Sequence, residues 1–299
     1  MELSMNIHNL IWRYDLARSA EIYQKAGFTA VDYGLFEMAK DDNDPMNQAN
    51  YRMTAEEVRR TVEAAGLKVN QTHAPFQFKN WKDENHFQTV IYPRLVRSLE
   101  ISAILGAKIC VVHPLHYDEY HGHEDEWFER NMAFYRSLIP YCREYGIKVA
   151  LENMWRRHPL RQNIVLDTCA SKEDFIRYVD TLDSEYMVAC LDLGHVGLSF
   201  QYDEAQDLIR ALGHDRLQAL HVHDNNYRED QHYLPFQGKM NWAEITRALG
   251  EINYVGDFTY EVNKYFLESV PDSFVQTAAN YMGDVGRYLI GEIERNRRG

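Results

Sequence analysis

Cysteine is scarce in this chain: four in 299 residues, at positions 110, 142, 169 and 190, with no C-x-x-C pair among them. So sparse a set builds no disulfide framework, and lone thiols within apolar runs fit a reducing compartment. Long hydrophobic runs are missing too, since nothing approaches the ~20 continuous apolar residues that cross a bilayer. The first residues, Met-Glu-Leu-Ser-Met-Asn-Ile-His, carry no basic stretch followed by an apolar one. A secretory leader is therefore not expected, and the cytoplasm is the expected location. Positive charge is also short: 32 Lys and Arg face 45 Asp and Glu, for a formal net charge of −13. That balance opposes a broad electrostatic grip on nucleic acid or anionic membrane, and neither is expected as a partner. No low-complexity tract or Gly/Ser linker divides the chain, so a single domain over residues 1–299 is expected. What the chain has in supply is apolar residues for a large core, at 45%, and 13 histidines.

Short β-rich apolar runs alternate with longer helical patterns. The runs fall at 2–7, 29–35, 67–72, 107–112, 147–151, 186–191, 217–222 and 257–262, and read as buried strands. Gly27, Gly66, Gly106 and Gly146 stand just before several of them, where a helix would end. Thr54 with Glu57, Ser171 with Asp174 and Asn241 with Glu244 have the spacing of helix-starting caps. Residues 92–105 read as a sheet-packed helix through Leu95, Leu99 and the apolar residues up to Leu105, and 271–290 as a terminal helix. The tract 116–123, with three histidines, reads as a polar loop. Eight strands alternating with helices predict parallel pairing by right-handed crossovers, hence an α/β fold closed as a (β/α)8 TIM barrel. No G-x-G-x-x-G turn follows the first run, which weighs against an open dinucleotide-binding sheet.

The runs end alike. The third leads into His73, the fourth into His113, the fifth into Glu152, the sixth into Asp192, the seventh into His221 and the eighth into Glu261, at spacings of 40, 39, 40, 29 and 40 residues. In a barrel that phase is the C-terminal rim, where residues remote in sequence surround one pocket. Carboxylates and imidazoles crowded in a crevice call for a counter-cation. Mixed oxygen and nitrogen donors suit Zn or Mn, and an oxygen-rich subset suits Mg or Co.

Several segments around these residues form a familiar set: Thr72-His73-Ala74-Pro75-Phe76, Val112-His113-Pro114, Leu151-Glu152-Asn153, Leu191-Asp192-Leu193-Gly194-His195, His221-Val222-His223-Asp224-Asn225, Tyr260-Glu261, and Asp230-Gln231-His232 followed by Pro235, Gly238 and Asn241-Trp242. The set resembles the xylose-isomerase-like TIM-barrel superfamily of sugar isomerases and epimerases, which also holds zinc-dependent abasic-site endonucleases. The resemblance implies a metal site of Glu152, Asp192, His221 and Glu261. It also matches His73, His113, His195, Asp230 and His232 to further ligands of the endonuclease branch, so metal identity and number stay open. His221 and His223 share strand parity; the His-x-x-Asp spacing ending at Asp224 favours His221 as ligand and leaves His223 as a substrate or supporting contact.

The implied activity is isomerisation or epimerisation of a small sugar, sugar phosphate or sugar acid through an enediolate, with Glu152 and Glu261 as the acid/base pair. His195 would meet a substrate hydroxyl or a second metal. Trp12, Phe76 and Trp155 are expected to line the pocket. Arg156, Arg157, Arg161 and Arg228 are candidates for an anionic substrate group, with Arg228 expected in the substrate site. A zinc-dependent phosphodiesterase of the abasic-site type, or a sugar-acid dehydratase or lyase on the same metal, is the alternative. A homo-oligomer is allowed. Where ketose 3-epimerases carry an Asn-Arg-x-Glu-like segment, this chain has Met154-Trp155-Arg156-Arg157-His158-Pro159.

Overall fold

The computed structural model describes residues 1–76, 83–115, 120–198, 203–262, 267 and 269–297. The polar tract 116–123 lies partly outside them, at 116–119. Strands β1 (Leu3–Asn6), β2 (Ala30–Gly34), β3 (Lys68–His73), β4 (Ile109–Val112) and β5 (Lys148–Glu152) come first. A short hairpin follows, β6 (Trp155–Arg157) and β7 (Ile164–Leu166), then β8 (Met187–Asp192), β9 (Leu217–His221) and β10 (Phe258–Tyr260). Apart from the antiparallel hairpin, all pair in parallel in the order β10-β1-β2-β3-β4-β5-β8-β9. The sheet closes on itself where Val222 N donates to Thr259 O at 2.8 Å and Glu261 N donates to Val222 O at 3.1 Å. The eight expected runs are the eight barrel strands of a TIM barrel. They form strands because both faces are covered: all six residues of β8 are buried, which an uninterrupted apolar run requires.

Helices on the outside carry the chain from the end of each barrel strand to the start of the next. Two end on left-handed glycines, Gly106 (φ 87°) and Gly146 (φ 66°), where a side chain would be strained. Ser171 and Asn241 cap the helices Lys172–Leu182 and Trp242–Glu251 by accepting from the amides of Asp174 and Glu244. Thr54 does not start its helix. That helix runs Tyr51–Ala64, and the Thr54 amide already donates to Asn50 O, because Tyr51 is buried and draws the first turn against the core. The terminal helix Asp272–Asn296 lies on the barrel, with Gly286 tight against Leu3 and Tyr260. Among the described residues no helix is long and apolar enough to cross a membrane.

The barrel interior is split. Its β4-β5-β8-β9 half holds a small apolar cluster of Val111, Ala150, Val188, Cys190 and Ala219. Its β10-β1-β2-β3 half is polar: Ser4 donates to Asn70, Asn70 to Thr259, Thr259 to Gln71 and Gln71 to Asp32. Alternation along the strands then lifts the next inward residues, two positions further on, to the C-terminal rim.

Candidate metal centre

Six of the inward residues at that rim are the ones that the sequence phase marked. His73, Glu152, Asp192 and His221 are the last residues of their strands, and His113 and Glu261 follow theirs directly. The pairing register sets Asp192 beside His221 and Glu152 beside Cys190. Three groups with ligand-forming atoms within 4.8 Å of one another result: Glu152, Asp192, His221 and Glu261; His73, His113 and Glu152; and His195, His223, Asp230 and His232. Glu152 belongs to two of them. Its Oε1 lies 3.1 Å from His221 Nδ1, and its Oε2 lies 3.0 Å from His113 Nε2 and 3.4 Å from His73 Nε2. Glu261 Oε2 stands 3.2 Å from His221 Nδ1.

The donor chemistry fits a divalent cation. A backbone carbonyl only accepts, so a ring nitrogen bonded to one carries the proton and turns the other nitrogen into the site. His73 Nδ1 meets Ala74 O at 3.0 Å, His195 Nδ1 meets Asn153 O at 2.8 Å, and His232 Nδ1 meets Glu261 O at 2.7 Å. Each therefore presents Nε2 inward, and that of His73 faces His113 Nε2 at 2.9 Å. Without a cation, protons fill that role. Burial works against a charged His221, but Glu261 and Glu152 outweigh it and push the imidazole up to about 10. For His232, Asp230 likewise outweighs burial and pushes it up to about 9, and His195 is raised by Asp192 and Asp230. In return His221 and His113 hold the buried Glu152 carboxyl well below its usual range.

The supporting residues come from β5 and from the loop after β9. Asn153 spans the rim, accepting from Asp192 N at 2.8 Å and donating to Asp192 O at 3.0 Å. Asp224 is fully buried and accepts from the amides of Asn225, Phe236, Gly238 and Met240 and from the Trp242 indole, all within 3.1 Å. Those bonds fold residues 225–240 back over the rim, so that Asp230 approaches His195 and His232 meets His223 and the Glu261 carbonyl.

Above the groups opens a cavity of about 660 Å³. Trp12, Phe36 and Phe76 form an aromatic wall, and Trp155, Arg156 and Arg157 of β6 form the facing one. Trp155 also donates to Asp230 at 3.2 Å. The segment Met154–Pro159 therefore carries the first strand of a hairpin bordering the cavity, which its length and arginine content concealed. His223 does not border the cavity: it is fully buried behind Asp192, 2.9 Å from Oδ1, and stacks on His232 at 3.9 Å. Its ring occupies the space that a Cβ on Gly194 would take. Arg228 is exposed on the 225–240 loop, away from the cavity lining, and Arg161 borders a neighbouring pocket. Asp32 and Phe36 are site residues outside the segments that carry the resemblance, and Asn153 stands in one of them without a role assigned from the sequence. Asp32 did leave a signal, as the one acid inside the apolar run 29–35.

A (β/α)8 barrel with a carboxylate-histidine cluster at its C-terminal rim defines a class of metal-site barrels. Within it, the chain belongs to the xylose isomerase-like TIM barrel family, whose signature matches residues 20–279. It is 25% identical over 296 residues to the uncharacterized protein y4fM of Sinorhizobium fredii, covering 88% of this chain and 86% of that one. It is 35% identical over 121 residues to a D-psicose 3-epimerase of Enterocloster bolteae, covering 40% of this chain and 35% of the epimerase. The crystal structure of a D-psicose 3-epimerase in the presence of D-fructose superposes with a TM-score of 0.73 at 18% identity, over 97% of this chain and all of the other.

Proposed function

We propose that the chain is a divalent-metal-dependent isomerase or epimerase of a small sugar, sugar phosphate or sugar acid, transferring a proton next to a carbonyl. The carrying observation is the pair Glu152 and Glu261, brought from β5 and β10 to the floor of one cavity and into one group with Asp192 and His221. A cation held by these four supplies positive charge for the oxyanion that develops as the proton leaves. Glu261, 23% exposed at its side chain, faces the cavity and exchanges the proton, while Glu152, 2% exposed, does so from the deeper side. Trp12, Phe36 and Phe76 shield the enediolate from water. His195, behind Trp155, reaches a substrate hydroxyl from the hairpin side. The likeness to the D-psicose 3-epimerase of Enterocloster bolteae supports a ketose-like substrate, and the β6–β7 hairpin gives this chain its own cavity wall.

Incubation of ketoses and sugar acids in deuterated water with Mn or Co tests the reading. Deuterium entering one carbon, and lost in Glu261→Gln, is the expected result. No exchange across the panel with the site filled overturns it. One observation favours a second reading, a zinc-dependent phosphodiesterase: the groups around His113 and His232 flank the first on both sides. Three zinc ions per chain, with incision of abasic duplex lost in Glu152→Gln, would establish that chemistry instead; one ion per chain favours the isomerase.

A further inference from the structure

His73, His195 and His232 each have a backbone carbonyl behind the ring, but His221 has none. Its Nδ1 faces Glu152, Glu261 and Asp192, at 3.1, 3.2 and 3.9 Å, so Nδ1 is the nitrogen offered to a cation. Nε2 must then hold the proton, and in the barrel interior it has no hydrogen-bond partner. The carboxylate facing it is Asp32 of β2, whose Oδ2 lies 3.8 Å away and whose Oδ1 is buried without a partner. Asp32 is 1% exposed and is steered by Gln71, whose Nε2 lies 3.4 Å from Oδ2. An orphaned donor thus faces a buried carboxylate with an orphaned oxygen of its own, and the approach of Nε2 to Oδ2 is a few tenths of an ångström beyond hydrogen-bond distance: one donor, one acceptor.

We propose that Asp32 is the positioning residue of the metal centre: it accepts the Nε2 proton of His221, fixes the ring with Nδ1 toward the cation, and does for this ligand what backbone carbonyls do for the other three. Asp32 touches neither cavity nor substrate. The polar half of the barrel, from Ser4 through Asn70, Thr259 and Gln71, is the scaffold that holds this carboxylate in place.

The inference rests on a cation binding at Glu152, Asp192, His221 and Glu261. Zinc titration of metal-stripped protein by calorimetry, with nitrogen-15 spectra of the histidine rings in the zinc-loaded state, tests it. Wild-type protein should show His221 protonated at Nε2. Asp32→Asn should weaken zinc binding 10- to 100-fold and move the His221 ring signals, with metal-free thermal stability retained. Gln71→Leu, which leaves the carboxylate but loosens it, should give a smaller loss of the same kind. Equal zinc affinity and identical ring signals in Asp32→Asn overturn the proposal, as does lost affinity with the His221 signals unmoved. Wild-type protein that binds no zinc overturns the metal reading itself, which separates the two failures.

Discussion

At the scale of single residues, the rim histidines carry the measurable consequences. In metal-free protein His221 is pushed from 6.5 to about 10 and His232 to about 9, because neighbouring carboxylates outweigh burial. The folded state then binds these protons more tightly than the unfolded chain. Their contribution to stability is full below about pH 6.5 and is lost as pH rises through 9 to 10. Metal-stripped protein should therefore melt at progressively lower temperature over that window, while zinc affinity rises over it because the cation displaces the same protons. A melting temperature independent of pH between about 6.5 and 10 would refute the assignment. For chemistry, Glu261→Gln should lower kcat about 10²- to 10⁴-fold in the exchange assay, since the amide takes up no proton. The six rim residues were legible because each ends an apolar run at a common phase. Asp32 was not, because an acid inside a strand carries no spacing signal; only the closed barrel sets it opposite His221. The depth of His223 was not legible for a related reason: strand parity names the face that a residue shares but not whether another side chain covers it, so parity alone left open both a substrate contact and a supporting contact, and the structure sets His223 against Asp192.

At the scale of elements, strands were easier to read than loops. All eight barrel strands sit on apolar runs, four of them after helix-ending glycines and six leading into the polar rim residues, since burial on both faces leaves little freedom of composition. The β6–β7 hairpin was hidden because three-residue strands with Arg156 and Arg157 show neither apolar run nor alternation. The loop 225–240 is likewise irregular, yet five donors converge on the Asp224 carboxylate. That convergence makes the loop a rigid support for Asp230 and His232. Asp224→Asn replaces one accepting oxygen with a donor facing donors, and should destabilise the loop by about 1–3 kcal/mol. Hydrogen exchange should quicken at the amides of Phe236, Gly238 and Met240 while the amides of β8 stay protected. Uniform quickening through the barrel would mean that Asp224 supports the whole fold rather than this element.

At the scale of the whole molecule, the charge of −13 and the metal centre are connected. Asp32, Glu152, Asp192, Asp230 and Glu261 bring five of the 45 acidic residues to one end of the barrel. A divalent cation there would relieve repulsion that the rest of the sequence, short of Lys and Arg, does not offset. The same deficit opposes a duplex-binding surface, which would need a basic face to meet phosphates. Because Glu152, Asp192, His221 and Glu261 stand at the ends of β5, β8, β9 and β10, an ion bound by them would tie together strands whose sequence positions span more than a hundred residues. We expect the chain to unfold as one domain, in a single transition with or without metal. At a free cation concentration 100 times its dissociation constant, the folded state gains about 2.7 kcal/mol. With an unfolding entropy of roughly 2.1 cal/mol/K per residue, that raises the melting temperature by about 4 °C. Calorimetric scans with and without zinc check both expectations. A shift confined to one of two separate transitions would show that the barrel does not act as one cooperative unit, and no shift at saturating zinc would show that the rim carboxylates hold no ion.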